Sequence, residues 1–145
     1  LPDGAAGGPE EAGREPPPEI ASRRGRVLLV EDHQATRTTL EQLLERRRYQ
    51  VFSAGTVAEA RVLAAREPID LVISDIGLPD GNAYELMREL HDTRGLPGIA
   101  LTGYGMENDI ARSYAAGFAI HLTKPLRVQL LDEALARVAE DDAKL

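Results

Sequence analysis

The 145 residues contain no cysteine and no tryptophan, and aromatic side chains make up only 4% of the chain. Without thiols there is no disulfide framework and no thiolate metal site, which suits a reducing, cytoplasmic setting. No apolar run approaches the roughly 20 residues that a membrane-spanning helix needs, so no membrane contact is expected. Basic clusters are missing too. The net charge is −7, and the one basic run, Arg46-Arg47-Arg48, reads as the solvated end of a helix whose cations complement the helix dipole. A nucleic-acid partner would require Lys and Arg gathered on one face, and none is expected. With neither an initiator methionine nor a secretory leader, the chain reads as a segment of a longer polypeptide.

What is present divides unequally. Leu1–Ser22 is crowded with Gly, Pro, Ala and Glu, includes Pro16-Pro17-Pro18, and reads as a flexible linker over residues 1–22. Residues 23–145 then form one domain, long enough to bury a core. From Arg26 onward, short apolar runs alternate with helix-length amphipathic stretches. The runs are Val27–Val30, Val51–Ala54, Ile69–Ser74, Ile99–Leu101 and Ala119–Leu122. Between them, Leu40, Leu43 and Leu44 share a helical face, as do Val57, Ala60, Leu63 and Ala64, then Leu86, Met87 and Leu90. Ile110, Tyr114 and Ala115 form a weaker set, and Leu130, Leu131, Leu135 and Val138 a final one. Five strand-helix repeats imply an α/β fold with a parallel sheet covered on both faces, which explains strands that are apolar throughout.

In such a sheet the strand C-terminal ends share one edge, where ligands bind. That edge gathers Glu31 and Asp32 after VLLV, Asp75 after LVIS, Thr102 after IAL, and Lys124-Pro125 after IHLT. Three carboxylates held together need a cation, and an oxygen-only set suits a hard ion such as Mg2+. A lysine ammonium and a threonine hydroxyl can serve phosphoryl oxygens. Together these are the parts of a phosphoryl-transfer site whose nucleophile is an aspartate. Taken singly, Asp32 could equally cap the helix that follows, Thr102 could be a turn residue and Lys124 a surface lysine. Asp80 reads as a cap or turn residue.

The segments VLLVED, LVISDIGLPDG, IALTGYG and HLTKP, in that order, resemble the receiver domain of two-component response regulators over nearly all of residues 26–140. The resemblance implies a flavodoxin-like doubly wound (βα)5 three-layer sandwich with strand order 2-1-3-4-5. It implies that Asp75 is the phosphorylation site, taking the phosphoryl group from a phosphohistidine and later losing it by self-catalysed hydrolysis. Asp32, Asp75 and the Gly77 backbone carbonyl would hold Mg2+, with Glu31 acting through a water. Lys124 would pair with the phosphoryl group, Thr102 would swing to hydrogen-bond it, and Pro125 would follow a cis peptide bond. Gly77 and Tyr104 occupy positions that resemble those tuning dephosphorylation.

Partners implied are a histidine kinase dimerisation and phosphotransfer domain, or a histidine phosphotransfer protein, docking on the first helix at Gln34, Arg37 and Thr38, and a second copy on phosphorylation. DIGLPDG, ALTGYG and GFAIHLTKPL look most like receivers at the C-termini of hybrid sensor histidine kinases, and the chain ends soon after its last helix, leaving no room within it for a DNA-binding output. A free-standing single-domain regulator and a non-phosphorylated pseudo-receiver are the alternatives.

Two departures stand out. DIGLPDG is two residues shorter than many receivers have, and His121 stands where the family has a Tyr or Phe switch residue. A haloacid-dehalogenase-type phosphatase would need a second Asp two positions after Asp75, where this chain has Gly77. No Gly-rich P-loop is present.

Overall fold

The computed structural model describes residues 25–103 and 110–143, with side chains through residue 139. The expected linker at residues 1–22, and Tyr104, lie outside the described residues. The sheet strands are β1 (Gly25–Val30), β2 (Tyr49–Ala54), β3 (Leu71–Asp75), β4 (Gly98–Thr102) and β5 (Phe118–Thr123). The helices are α1 (Gln34–Arg46), α2 (Val57–Arg66), α3 (Tyr84–Arg94), α4 (Ile110–Ala115) and α5 (Val128–Ala143). All sheet pairings are parallel, in the order β2-β1-β3-β4-β5, the 2-1-3-4-5 arrangement expected. Parallel strands need crossovers; α1 to α4 supply the four, and α5 follows the last strand.

Alternation along the strands separates two cores. Val27 and Leu29 of β1 and Ile73 of β3 meet Leu44 of α1 and Leu131 and Leu135 of α5. Leu28 and Val30, pointing the other way, meet Ala60 of α2 and Leu86 and Met87 of α3. Because β1, β3 and β4 are covered on both faces, they are buried from end to end or nearly so, and their polar ends are carried to a fixed edge.

The first expected face holds, with Leu40 and Leu44 buried and Leu43 packed beside them. In the weak fourth set the inward positions are Ser113 and Ala116 instead. Tyr114 is 49% exposed and Ala115 is also exposed, because the inward i, i+3 row runs through a serine, which an apolar pattern does not mark. In α5, Leu130 is exposed and Ala134 takes the inward place beside Leu131, Leu135 and Val138. The third strand starts later than its apolar run. Asp70 precedes it and accepts the Arg26 backbone N–H at 2.8 Å.

The shortened loop after Asp75 folds as a two-residue antiparallel hairpin, Gly77–Leu78 against Gly81–Asn82, turning through Pro79 and Asp80. Gly81 has φ 146°, a value that only glycine adopts without strain. The hairpin reaches across to α2: the two Asp80 carboxylate oxygens accept the backbone N–H groups of Val57 at 2.8 Å and Ala58 at 3.0 Å. Thr56 Oγ1 accepts the Glu59 N–H, and Glu59 Oε1 accepts that of Gly55, a variant of the capping box. Asp80 is thus a cap, as expected, but for a helix 22 residues earlier in the chain. These bonds hold its carboxyl below the ordinary carboxylate range, first through Val57 and then Ala58.

Arg47 corrects another expectation. Rather than ending α1 in solvent, it forms an ion pair with Asp132 of α5 and donates to the Leu43 carbonyl at 2.8 Å. Arg47 therefore ties α1 to α5 on one face of the sheet, while Arg46 and Arg48 are exposed.

Candidate functional site

Glu31, Asp75, Thr102 and Lys124 are each delivered by a strand end. Glu31 follows β1 directly and is fully buried; its backbone N–H is tied to the Ala54 carbonyl of β2 at 2.9 Å. Asp75 ends β3 and is 7% exposed, and Thr102 ends β4 at 2%. Lys124 follows β5, with its backbone N–H bonded to the Thr102 carbonyl at 2.8 Å. The Lys124-Pro125 peptide bond is cis, as expected. Asp32 is exposed at the mouth, and one oxygen from each of Glu31, Asp32 and Asp75 lies within 4.8 Å of the others.

Lys124 Nζ binds the buried acids together. It donates to Glu31 Oε1 at 2.7 Å and reaches the two Asp75 oxygens at 2.8 and 2.9 Å. Glu31 Oε2 is also occupied, accepting the His33 backbone N–H at 3.0 Å. One ammonium against three carboxylates leaves about two negative charges, so the site resists full ionisation. Burial, and then the hydrogen bond and charge of Glu31, push Asp75 up from its ordinary 3.8 to about 7. Burial opposes ionisation of Glu31 as well, but hydrogen bonds with Asp75, Lys124 and the His33 N–H outweigh it and hold Glu31 below its ordinary range. Burial would lower Lys124, yet Asp75 and Glu31 raise it, so it stays an ammonium.

Of the two readings of Asp32, the structure removes the cap. The residue preceding α1 is His33, which makes no side-chain cap; its ring meets Thr36 Oγ1 at 3.0 Å instead. Asp32 is left facing the acidic cluster. Arg37, expected on the docking surface, is half-buried and folds back to donate to the Glu31 carbonyl at 2.8 Å, whereas Gln34 and Thr38 are exposed. Gly77 is exposed at the start of the hairpin, with open space where a Cβ would stand.

His121 is placed by register. Its partner across β4 and β5 is Ala100, and its Nε2 lies 2.7 Å from Thr102 Oγ1. The ring is half-buried, and that burial lowers its pKa from 6.5, so it is neutral at neutral pH. The sequence identified both residues but gave no sign of the bond between them, because the pairing depends on the offset of β5 against β4.

A buried carboxylate gripped by lysine, flanked by two more acids and a hydroxyl at the edge of a 2-1-3-4-5 sheet, belongs to the CheY-like class of flavodoxin folds. Residues 27–136 match the response regulator receiver domain family, and the chain belongs to it. It is 39% identical over 113 residues to the KDP operon transcriptional regulatory protein KdpE of Escherichia coli, covering 78% of this chain and 50% of that protein. The aerobic respiration control protein ArcA of the same organism is 37% identical over 99 residues, covering 68% and 42%. Among solved structures, a CheY-like receiver domain protein from Methanospirillum hungatei superposes with a TM-score of 0.77 at 30% identity, covering 83% of this chain and 97% of that one. The signal receiver domain of an HD domain-containing protein from Pseudomonas fluorescens gives 0.78 at 30%, covering 85% and 100%. The chain thus spans half or less of these curated relatives and nearly all of the isolated receiver structures.

Proposed function

We propose that this segment is the phosphoacceptor of a two-component phosphorelay, taking a phosphoryl group from a phosphohistidine onto Asp75. The observation that carries this reading is the position of Asp75 itself: a buried carboxylate at a strand end with Lys124 Nζ on both of its oxygens. A carboxylate oxygen attacks phosphorus, the histidine nitrogen leaves, and an acyl phosphate forms. Lys124 then remains beside the new charge on the phosphoryl oxygens.

The residues fit Mg2+. Glu31, Asp32 and Asp75 are oxygen donors close enough to share one ion, and their charge exceeds what Lys124 neutralises. Asp32, Asp75 and the Gly77 carbonyl would hold the ion, with Glu31 engaged by Lys124 and reaching it through water. When bound, it would neutralise charge during the transfer. Hydrolysis of the acyl phosphate resets the site, so the segment turns over only its own phosphoryl group and is not an enzyme toward external substrates.

The partner, on this reading, is a histidine kinase phosphotransfer domain or a histidine phosphotransfer protein, and the exposed Gln34 and Thr38 of α1 border its docking face. Among the described residues no helix is long and apolar enough to cross a membrane; cytoplasmic placement fits the proposed partners. For the larger protein we favour a hybrid sensor kinase, from the likeness of DIGLPDG and GFAIHLTKPL to such receivers. Treatment with acetyl phosphate and Mg2+ should add the mass of one phosphoryl group to the wild type and none to Asp75→Asn. Equal labelling of both proteins, or of neither, refutes the assignment.

A further inference from the structure

The contact between Thr102 and His121 sets a limit on what Thr102 can do. A threonine hydroxyl has one proton to donate and two lone pairs to accept with, and a neutral imidazole nitrogen either donates or accepts. If His121 Nε2 is bare, the Thr102 proton is committed to it and cannot serve a phosphoryl oxygen. If Nε2 carries hydrogen, it donates into a Thr102 lone pair, and the proton is free for a second acceptor without any movement of the side chain. Thr102 is buried, and among the described residues His121 Nε2 is its side chain's only hydrogen-bond partner, so the ring state decides.

We propose that His121 is a positioning residue which, in the phosphorylated state, donates from Nε2–H to Thr102 Oγ1 and leaves the Thr102 proton aimed at the phosphoryl group. This rests on the phosphoacceptor reading of Asp75 and replaces a threonine that swings with one that stays on its partner. Asp75 lies opposite Leu101 in the β3–β4 register, one residue before Thr102, so the hydroxyl is already beside the acceptor strand. A new anion there favours both the donating Thr102 and the protonated Nε2. By linkage, a proton on Nε2 favours phosphoryl binding in return. His121 also lines a cavity of about 320 Å³ together with Glu133 and Arg137 of α5. Those are the charged groups facing it from that helix; from β4 the facing group is the uncharged Thr102. The ring is only half-buried, so it can exchange a proton with water.

The experiment is ¹⁵N NMR of the histidine ring with beryllofluoride and Mg2+ as the phosphoryl mimic, together with titrations of His121→Phe, His121→Gln, Thr102→Ala and the His121→Phe/Thr102→Ala double variant. Expected are a protonated Nε2 in the beryllofluoride state and roughly three- to tenfold weaker beryllofluoride binding by His121→Phe, the worth of one hydrogen bond. Binding should be largely restored in His121→Gln, whose amide keeps a donor, and His121→Phe should have no added effect in the Thr102→Ala background. A bare Nε2 in the bound wild type, or a Phe effect that survives removal of the Thr102 hydroxyl, overturns the positioning role while leaving Asp75 as acceptor. Failure of the wild type itself to bind beryllofluoride overturns both.

Discussion

Replacing Asp75 with asparagine should stabilise the metal-free protein, and only at pH values where the aspartate is ionised. Asparagine copies the neutral acid in shape and can still accept from Lys124, which keeps Glu31 as its charged partner. The raised pKa fixes the sign. An Asp that titrates near 7 when folded and near 3.8 when unfolded holds its proton more tightly in the folded state, so its favourable contribution is complete below 3.8 and lost as pH rises through 7. At ~1.36 kcal/mol per pH unit, that rise has a ceiling of about 4 kcal/mol. Lys124 is 29% exposed beside it, and solvent screening at the mouth cuts the figure to about 2 kcal/mol. For a domain of this size, 2 kcal/mol corresponds to a Tm difference of about 8 °C. Thermal melts in EDTA from pH 4 to 8 should show wild type and Asp75→Asn together at pH 4 and separating steadily above it, with the variant higher. Added Mg2+ should narrow the gap at pH 8, since it binds the folded wild type and not the unfolded chain. A gap that does not change with pH, or a wild type more stable than the variant at pH 8 in EDTA, would refute the charge accounting.

Other perturbations probe the frame that positions the site. A Cβ on Gly98 would overlap Met87 Sδ and stand 2.9 Å from Phe118 Cδ1, so Gly98→Ala should cost about 1–3 kcal/mol in denaturant unfolding. Gly77→Ala, with nothing within 4 Å, should stay within about 0.5 kcal/mol of the wild type. Asp80→Ala should lower the Tm at pH 7 by uncapping α2. That deficit should shrink as pH falls below 3.8, because a depressed pKa gives stability only while the carboxylate is ionised; a deficit independent of pH would assign it to turn geometry instead. A double-mutant cycle on Arg47 and Asp132 should return about 1 kcal/mol or less, since Asp132 is 50% exposed.

The order of elements and the identity of the edge residues were legible because runs such as VLLV and LVIS, alternating with helix-length amphipathic stretches, read as doubly covered strands, and a parallel sheet aligns their ends whatever the loops do. Pairings that depend on three-dimensional offset were not legible. Asp80 announces a turn or cap, but its helix lies far back in the chain. Arg47 finds Asp132 only because α1 and α5 share a face of the sheet. His121 meets Thr102 only because β5 is set so that Ala100 is its cross-strand neighbour. Taken singly, Asp32 fitted a cap as well as a ligand; the resemblance assigned it to the metal, and the cap reading fell when the residue before α1 was seen to be His33. In α4 the inward row includes Ser113, which an apolar pattern does not mark.

The central claim is that Asp75, and no neighbouring carboxylate, carries the phosphoryl group. Borohydride reduction after phosphodonor treatment converts an aspartyl phosphate to homoserine, which tandem mass spectrometry locates in the sequence. The account predicts homoserine at position 75, dependent on Mg2+ and lost on Lys124→Ala. Conversion at Asp32, or none in a folded protein, would contradict it.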